Sequence, residues 1–243
     1  MRKFYQTEWQ NISFSSFHSV SSTKLAGPEF YDSFYRALFD KYSGYDALGL
    51  NWRRNKGEIA DWLVALLPDG ARVLSIGCGL GYMEQYLWRL HGTRVEIHVQ
   101  DYASQAMQWL SKVLPDDRIH AVGEDIGQFD LIYLSAVDYA MSDNDLITLL
   151  KKARKSLQLG GQLVIVSASF LEESSYQKVI RNCKDAVKWF LDAAGIRPYG
   201  QFCGWMRSMQ DYRVIMSQVG LLSVTDGFVE TPHQHTYWIK GVV

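Results

Sequence analysis

Apolar positions along the chain follow two periods. Between Arg72 and Ser167, short β-branched runs alternate with segments of helical spacing. The runs are Arg72–Ile76, Arg94–Val99, Arg118–Val122, Leu131–Leu134 and Gln162–Ser167. The helical segments are Tyr82–Leu90, Ser104–Leu114 and Asp143–Leu157, the last with Leu146, Leu149, Leu150 and Leu157 inward. A helix over 55–67 precedes them, with Ile59, Trp62, Leu63 and Leu66 on one face, and stops at Pro68-Asp69-Gly70. After them, Asp211–Val219 reads as a helix closed by Gly220. Leu221–Val229 and Thr236–Val243 read as strands joined by a turn at Thr231-Pro232. This alternation predicts an α/β fold, with a mostly parallel sheet covered by helices on both faces and a closing hairpin.

Two segments break the rhythm. Residues 1–50 are rich in aromatics, with Phe30, Phe34 and Leu38 at helical spacing. They are expected to form a helical lid. The remaining residues, 51–243, are expected to form one domain with a cap inserted at 171–213. That cap holds a long helix over 174–194, followed by Tyr199, Phe202, Trp205 and Met206 among glycines. The second segment is expected to move and to order over a substrate.

Composition narrows the class. The chain has 243 residues, enough for a large core without disulfide or metal staples. Its formal net charge is −1, which gives no reason to expect nucleic acid or an anionic membrane as partner. No membrane span or signal peptide is read in it. Cys78, Cys183 and Cys203 are too scattered for a disulfide framework or a zinc site, and suit the cytoplasm. His233 and His235 lack an evident third ligand, so no metal is expected. His18 falls in the aromatic lid and reads as a surface residue.

The chemistry concentrates in Val73-Leu74-Ser75-Ile76-Gly77-Cys78-Gly79-Leu80-Gly81-Tyr82. A buried strand runs into three glycines at alternate positions, then into a helix. Such a turn brings backbone close to a ligand with no Cβ in the way, and the helix start offers free N–H groups. It also serves as a plain tight turn. Asp101 ends the second strand, twenty positions after Gly81. A carboxylate there accepts from ribose hydroxyls in doubly wound sheets, or caps the following helix.

With these residues the chain resembles the class I methyltransferases that use S-adenosylmethionine. The resemblance covers roughly residues 56–168 and rests on Val73–Gly81, Asp101, Phe129-Asp130-Leu131-Ile132 and Leu157–Val166. It implies a Rossmann-like sheet of seven strands with the last antiparallel. It implies that Gly77, Cys78, Gly79 and Gly81 line the methionine and ribose parts of the cofactor. Asp101 would hold the ribose, Tyr102 would lie on the adenine, and Glu124 or Asp125 would meet the adenine edge. Ser135 would stand where the site opens toward the acceptor. Ser75 occupies a position where the family carries a carboxylate, and Glu84 is a candidate to compensate. A nicotinamide or flavin enzyme is the runner-up for the glycine loop, disfavoured by the bulk of Tyr82.

After the fourth strand stands Ser135-Ala136-Val137-Asp138-Tyr139, without the prolines of base-directed amino-methyltransferases. Asp138 and Tyr139 are the candidates for contacting or deprotonating an acceptor, against a plain capping role. Arg197, Arg207 and Arg213 are candidates for an anionic group on the substrate. Arg53-Arg54-Lys56 is either a contact for the cofactor carboxylate or a solvated face. The resulting expectation is transfer of a methyl group to an oxygen or nitrogen of a small molecule. An inactive cofactor-binding protein and a methyltransferase acting on protein or RNA are the alternatives.

Overall fold

The structure is a computed structural model, described here for residues 2–167, 175–195, 200–231 and 235–243. Three short strands lead: β1 (Arg2–Gln6), β2 (Glu8–Trp9) and β3 (Ile12–Ser13). Helices α1 (Pro28–Lys41) and α2 (Leu50–Ala65) follow. Then come β4 (Ala71–Ile76), α3 (Tyr82–His91), β5 (Val95–Gln100), β6 (Ile119–His120), β7 (Phe129–Ser135), α4 (Asp143–Lys155) and β8 (Leu157–Ser167). The chain ends with α5 (Ser175–Ala193), β9 (Gln201–Met206), α6 (Met209–Val219), β10 (Leu222–Glu230) and β11 (His235–Val242).

The main sheet has seven strands in the order β10-β11-β8-β7-β4-β5-β6. The β8, β7, β4, β5 and β6 neighbours pair parallel, and β11 runs antiparallel to both β8 and β10. Side chains alternate between two cores. Val73, Leu131, Tyr133 and Val164 face the layer of α2 and α3, while Leu74, Ile132, Leu134 and Ile165 face α4 and α6. The two-residue period of the strands thus fills both layers. From β4 the chain steps outward through β5 to β6, then returns to β7 on the other flank. That reversal opens a crevice at the carboxy ends of β4 and β7.

The amino-terminal part differs from a purely helical lid. Helix α1 starts at Pro28 and buries Phe30, Phe34 and Leu38 at four-residue intervals, as their spacing predicts. Strand β1, however, pairs antiparallel with β9, so the first residues and the inserted segment form one small sheet. The expected flexible stretch around Trp205 is therefore a strand in the described residues, with Phe202 and Cys203 buried. Arg197 and Tyr199, and the Pro232-His233 part of the closing turn, lie outside the described residues.

The segment expected as a helix over 104–114 forms only short 3-10 turns at Ser104–Gln108 and Leu110–Lys112. Trp109 packs with Phe39 and Tyr45, whereas its neighbour Leu110 is buried in the sheet core. Adjacent side chains drawn into two different cores are better served by broken turns than by one regular helix. Strand β6 likewise shrinks to Ile119–His120, and α2 begins five residues earlier than its apolar face suggests.

Candidate active site

At the end of β4 the backbone enters the glycine loop. Gly77, Gly79 and Gly81 have φ of +72°, +56° and +72°, the left-handed region that favours glycine. The Gly77 N–H donates to the Gln100 carbonyl at 2.8 Å, and the Gly79 N–H donates to Asp101 Oδ2 at 2.7 Å. A Cβ on Gly79 would crowd the Tyr35 hydroxyl of α1 at 3.3 Å, and its φ disfavours any side chain there. Asp101 Oδ1 accepts from the Ala103 N–H at 2.8 Å. The carboxylate therefore ties the end of β5 to the loop and caps the next turn. It keeps lone pairs for further donors. Burial raises its pKa, and the N–H groups of Ala103, Gly79 and Tyr102 pull it back down.

These elements border a cavity of about 710 Å³, within the range of roughly 300–1,000 Å³ usual for small-molecule sites. Gly77, Cys78, Gly79, Gly81, Asp101, Tyr102, Ser135 and Tyr139 all line it. Tyr102 is half exposed and meets Tyr31 edge to face at 6.3 Å. Its phenol is pushed up to about 12, chiefly by burial.

Ser75 stays behind the wall. It is buried and donates its hydroxyl to Glu84 Oε1 at 2.6 Å, where the Tyr133 hydroxyl also donates at 2.6 Å. Glu84 itself lines the cavity. Burial raises its pKa, partly offset by these two donors and by the nearby Lys56 ammonium. Lys56 donates to Ser135 Oγ at 2.9 Å, and burial lowers its pKa. Beside it on α2, Asn55 is buried against the cavity, and its Oδ1 has no hydrogen-bond partner among the described residues. Asn55, Lys56 and Glu84 thus form a polar floor whose amide is unsatisfied by the chain alone.

Several sequence candidates sit elsewhere. Glu124 and Asp125 do not line the cavity. Glu124 Oε2 accepts from the Ala121 N–H at 3.0 Å, and Asp125 Oδ1 accepts from the Gly127 N–H at 3.2 Å, so each carboxylate closes its own turn. Ala103 borders the cavity in their stead. Asp138 is fully buried behind the wall and accepts from the Tyr212 hydroxyl. Arg207 is also fully buried, bonded to Asp143 at 2.7 Å and to the carbonyls of Asp138 and Met141 at 2.9 and 2.6 Å. Asp138 and Arg207 brace the turn that carries Tyr139, and neither lines the cavity. Arg213 pairs with Asp226 at the surface.

Tyr139 does line the cavity, but burial is the largest cause raising its pKa. Its hydroxyl accepts from the Tyr31 hydroxyl, and burial favours its protonated form. Among the described residues, no cluster of three His, Cys, Asp or Glu is arranged to hold a metal ion.

A family model described as a methyltransferase domain matches residues 51–225. The chain belongs to this family of S-adenosylmethionine-dependent methyltransferases. Solved structures share its fold. A candidate O-methyltransferase from Nostoc punctiforme aligns with a TM-score of 0.60 at 14% identity, covering 94% of this chain and 64% of that one. PigF with S-adenosylhomocysteine aligns at 0.58 and 16% identity, covering 89% of this chain and 60% of PigF. Magnesium protoporphyrin IX methyltransferase from Synechocystis, also with S-adenosylhomocysteine bound, aligns at 0.56 and 17% identity, covering 87% and 96%. The chain thus spans less than two thirds of the first two of these proteins. No curated protein matches the sequence.

Proposed function

We propose that this chain transfers the methyl group of S-adenosylmethionine to an oxygen or nitrogen of a small organic acceptor. The observation that carries the reading is the polar floor of Asn55, Lys56 and Glu84 beside the Asp101-bound glycine loop, all open to one cavity. An amino acid and a nucleoside need that combination. Glu84 suits an ammonium group, Lys56 and Asn55 suit a carboxylate, and Asp101 suits a ribose diol. Tyr102 supplies a face for the base.

When bound, the donor supplies an electrophilic sulfonium methyl, whose carbon–sulfur electrons return to sulfur as the acceptor's lone pair takes the carbon. The leaving thioether is neutral and needs no proton, so the residues orient the acceptor and exclude water from the reacting methyl. A hydroxyl acceptor gives up its proton to solvent at the cavity mouth as the new carbon–oxygen bond forms. Tyr31, Tyr35 and Tyr139 roof the cavity and perform that exclusion. The free cysteines suit the reducing cytosol.

Calorimetry with two ligands tests the floor. S-adenosylhomocysteine carries the amino-acid end, whereas 5′-methylthioadenosine lacks it. The former is expected to bind at least about tenfold more tightly, a difference of about 1.4 kcal/mol. Equal affinities would remove the amino-acid role from Asn55, Lys56 and Glu84.

A further inference from the structure

The cavity is chemically divided. Its charged lining side chains among the described residues are Lys56, Glu84 and Asp101. Each belongs to the donor side and already has partners there: Ser135, Ser75 with Tyr133, and the Gly79 and Ala103 N–H groups. An uncharged part of the lining is built from four separate pieces of chain. Phe4 comes from β1, Tyr31 from α1, Tyr139 from the turn after β7, and Cys203 from β9. Phe4 meets Tyr139 edge to face at 5.3 Å. Tyr31, Tyr139 and Cys203 lie close enough to perturb one another. Strand pairing brings Phe4 opposite Gly204, whose missing side chain lets the Tyr139 carbonyl approach. The wall therefore exists only when both ends of the chain meet.

We propose that this wall binds a planar aromatic acceptor that carries no charge in its buried part. The inference rests on the methyltransferase reading and specifies its acceptor. Flat rings fit between aromatic faces and edges, a contact that adds to simple burial. A buried carboxylate or ammonium on the acceptor would find no counter-ion on this wall, at a cost of several kcal/mol. The Tyr31 hydroxyl donates to the Tyr139 hydroxyl, and burial favours the protonated form of both, so the Tyr139 O–H is left to donate to an oxygen or nitrogen at the ring edge. The Cys203 thiol, pushed up to about 12 by burial, adds no charge either.

Three probes of similar size separate the possibilities. 2-Naphthol is flat and neutral, 2-naphthoate is flat and anionic, and 2-decalol is neutral but not flat. Each is titrated calorimetrically into the protein saturated with S-adenosylhomocysteine. 2-Naphthol is expected to bind at least about tenfold more tightly than the other two. Tyr139→Phe is expected to weaken 2-naphthol about five- to tenfold, the scale of one neutral hydrogen bond, with S-adenosylhomocysteine affinity unchanged. Equal or tighter binding of naphthoate or decalol, or no binding of any probe, would overturn the proposal. The same titrations without S-adenosylhomocysteine keep the two readings apart. A protein that binds 2-naphthol selectively but never binds S-adenosylhomocysteine contradicts the proposed function while leaving the aromatic wall in place.

Discussion

Glu84 stands under opposing demands. Burial makes its charge costly, while Ser75, Tyr133 and Lys56 make that charge tolerable. Ser75 stands where the family resemblance leads one to expect a carboxylate, and it donates instead to the carboxylate of Glu84, nine positions on in the first turn of α3. Folding raises the Glu84 pKa, so between its unfolded and folded values the folded state holds the extra proton. Stability from this group is therefore present at low pH and lost as pH rises through the folded value. The parent's stability relative to Glu84→Gln is expected to decline as pH rises above about 4, the ordinary carboxyl range. Urea melts at several pH values would show it. The same variant is expected to bind S-adenosylhomocysteine about 1.5–3 kcal/mol more weakly, the scale of a hydrogen bond to a charged group. A flat stability difference with unchanged binding would make Glu84 a passive filler.

Among the elements, the pairing of β1 with β9 shapes the acceptor side most. Gly204 has φ of +133°, and a Cβ there would lie 1.8 Å from the Tyr139 carbonyl oxygen. Backbone cannot yield as a flexible side chain can. Gly204→Ala is expected to cost about 2–4 kcal/mol in urea unfolding, from overpacking and from the strained backbone together. It should also loosen the Phe4–Tyr139 wall. A loss below about 0.5 kcal/mol, the usual range for neutral surface changes, would show that the two strands part without penalty. This pairing was not legible in the sequence, because its partners lie near opposite ends of the chain and neither strand has a clean apolar alternation. Strands of the main sheet were legible because each carries its own two-sided pattern and a glycine turn. Helix 104–114 misled for the converse reason: its apolar residues serve two cores, and helical spacing records only that they are apolar.

At the scale of the whole molecule, a doubly wound sheet supplies the glycine loop and Asp101 to the cavity, and segments outside it supply Phe4, Tyr31 and Tyr35. The glycine loop and Asp101 could be found from sequence because their spacing is tied to the sheet. From sequence Lys56 is left between a contact for the cofactor carboxylate and a solvated face, and Asn55 and Tyr31 carry no assigned role, since their positions depend on how α1 and α2 lie over that sheet. Glu124, Asp125 and Asp138 show the reverse case, in which an acidic residue near a strand end lies off the cavity and turns to its own backbone or into the core. The central claim is that the cavity at the ends of β4 and β5 is a donor site, and calorimetric titration with S-adenosylhomocysteine tests it most directly. The parent protein is expected to bind one molecule per chain, and Asp101→Ala to bind about 1.5–3 kcal/mol more weakly. No binding by the parent, or unchanged affinity in the variant, would contradict the account.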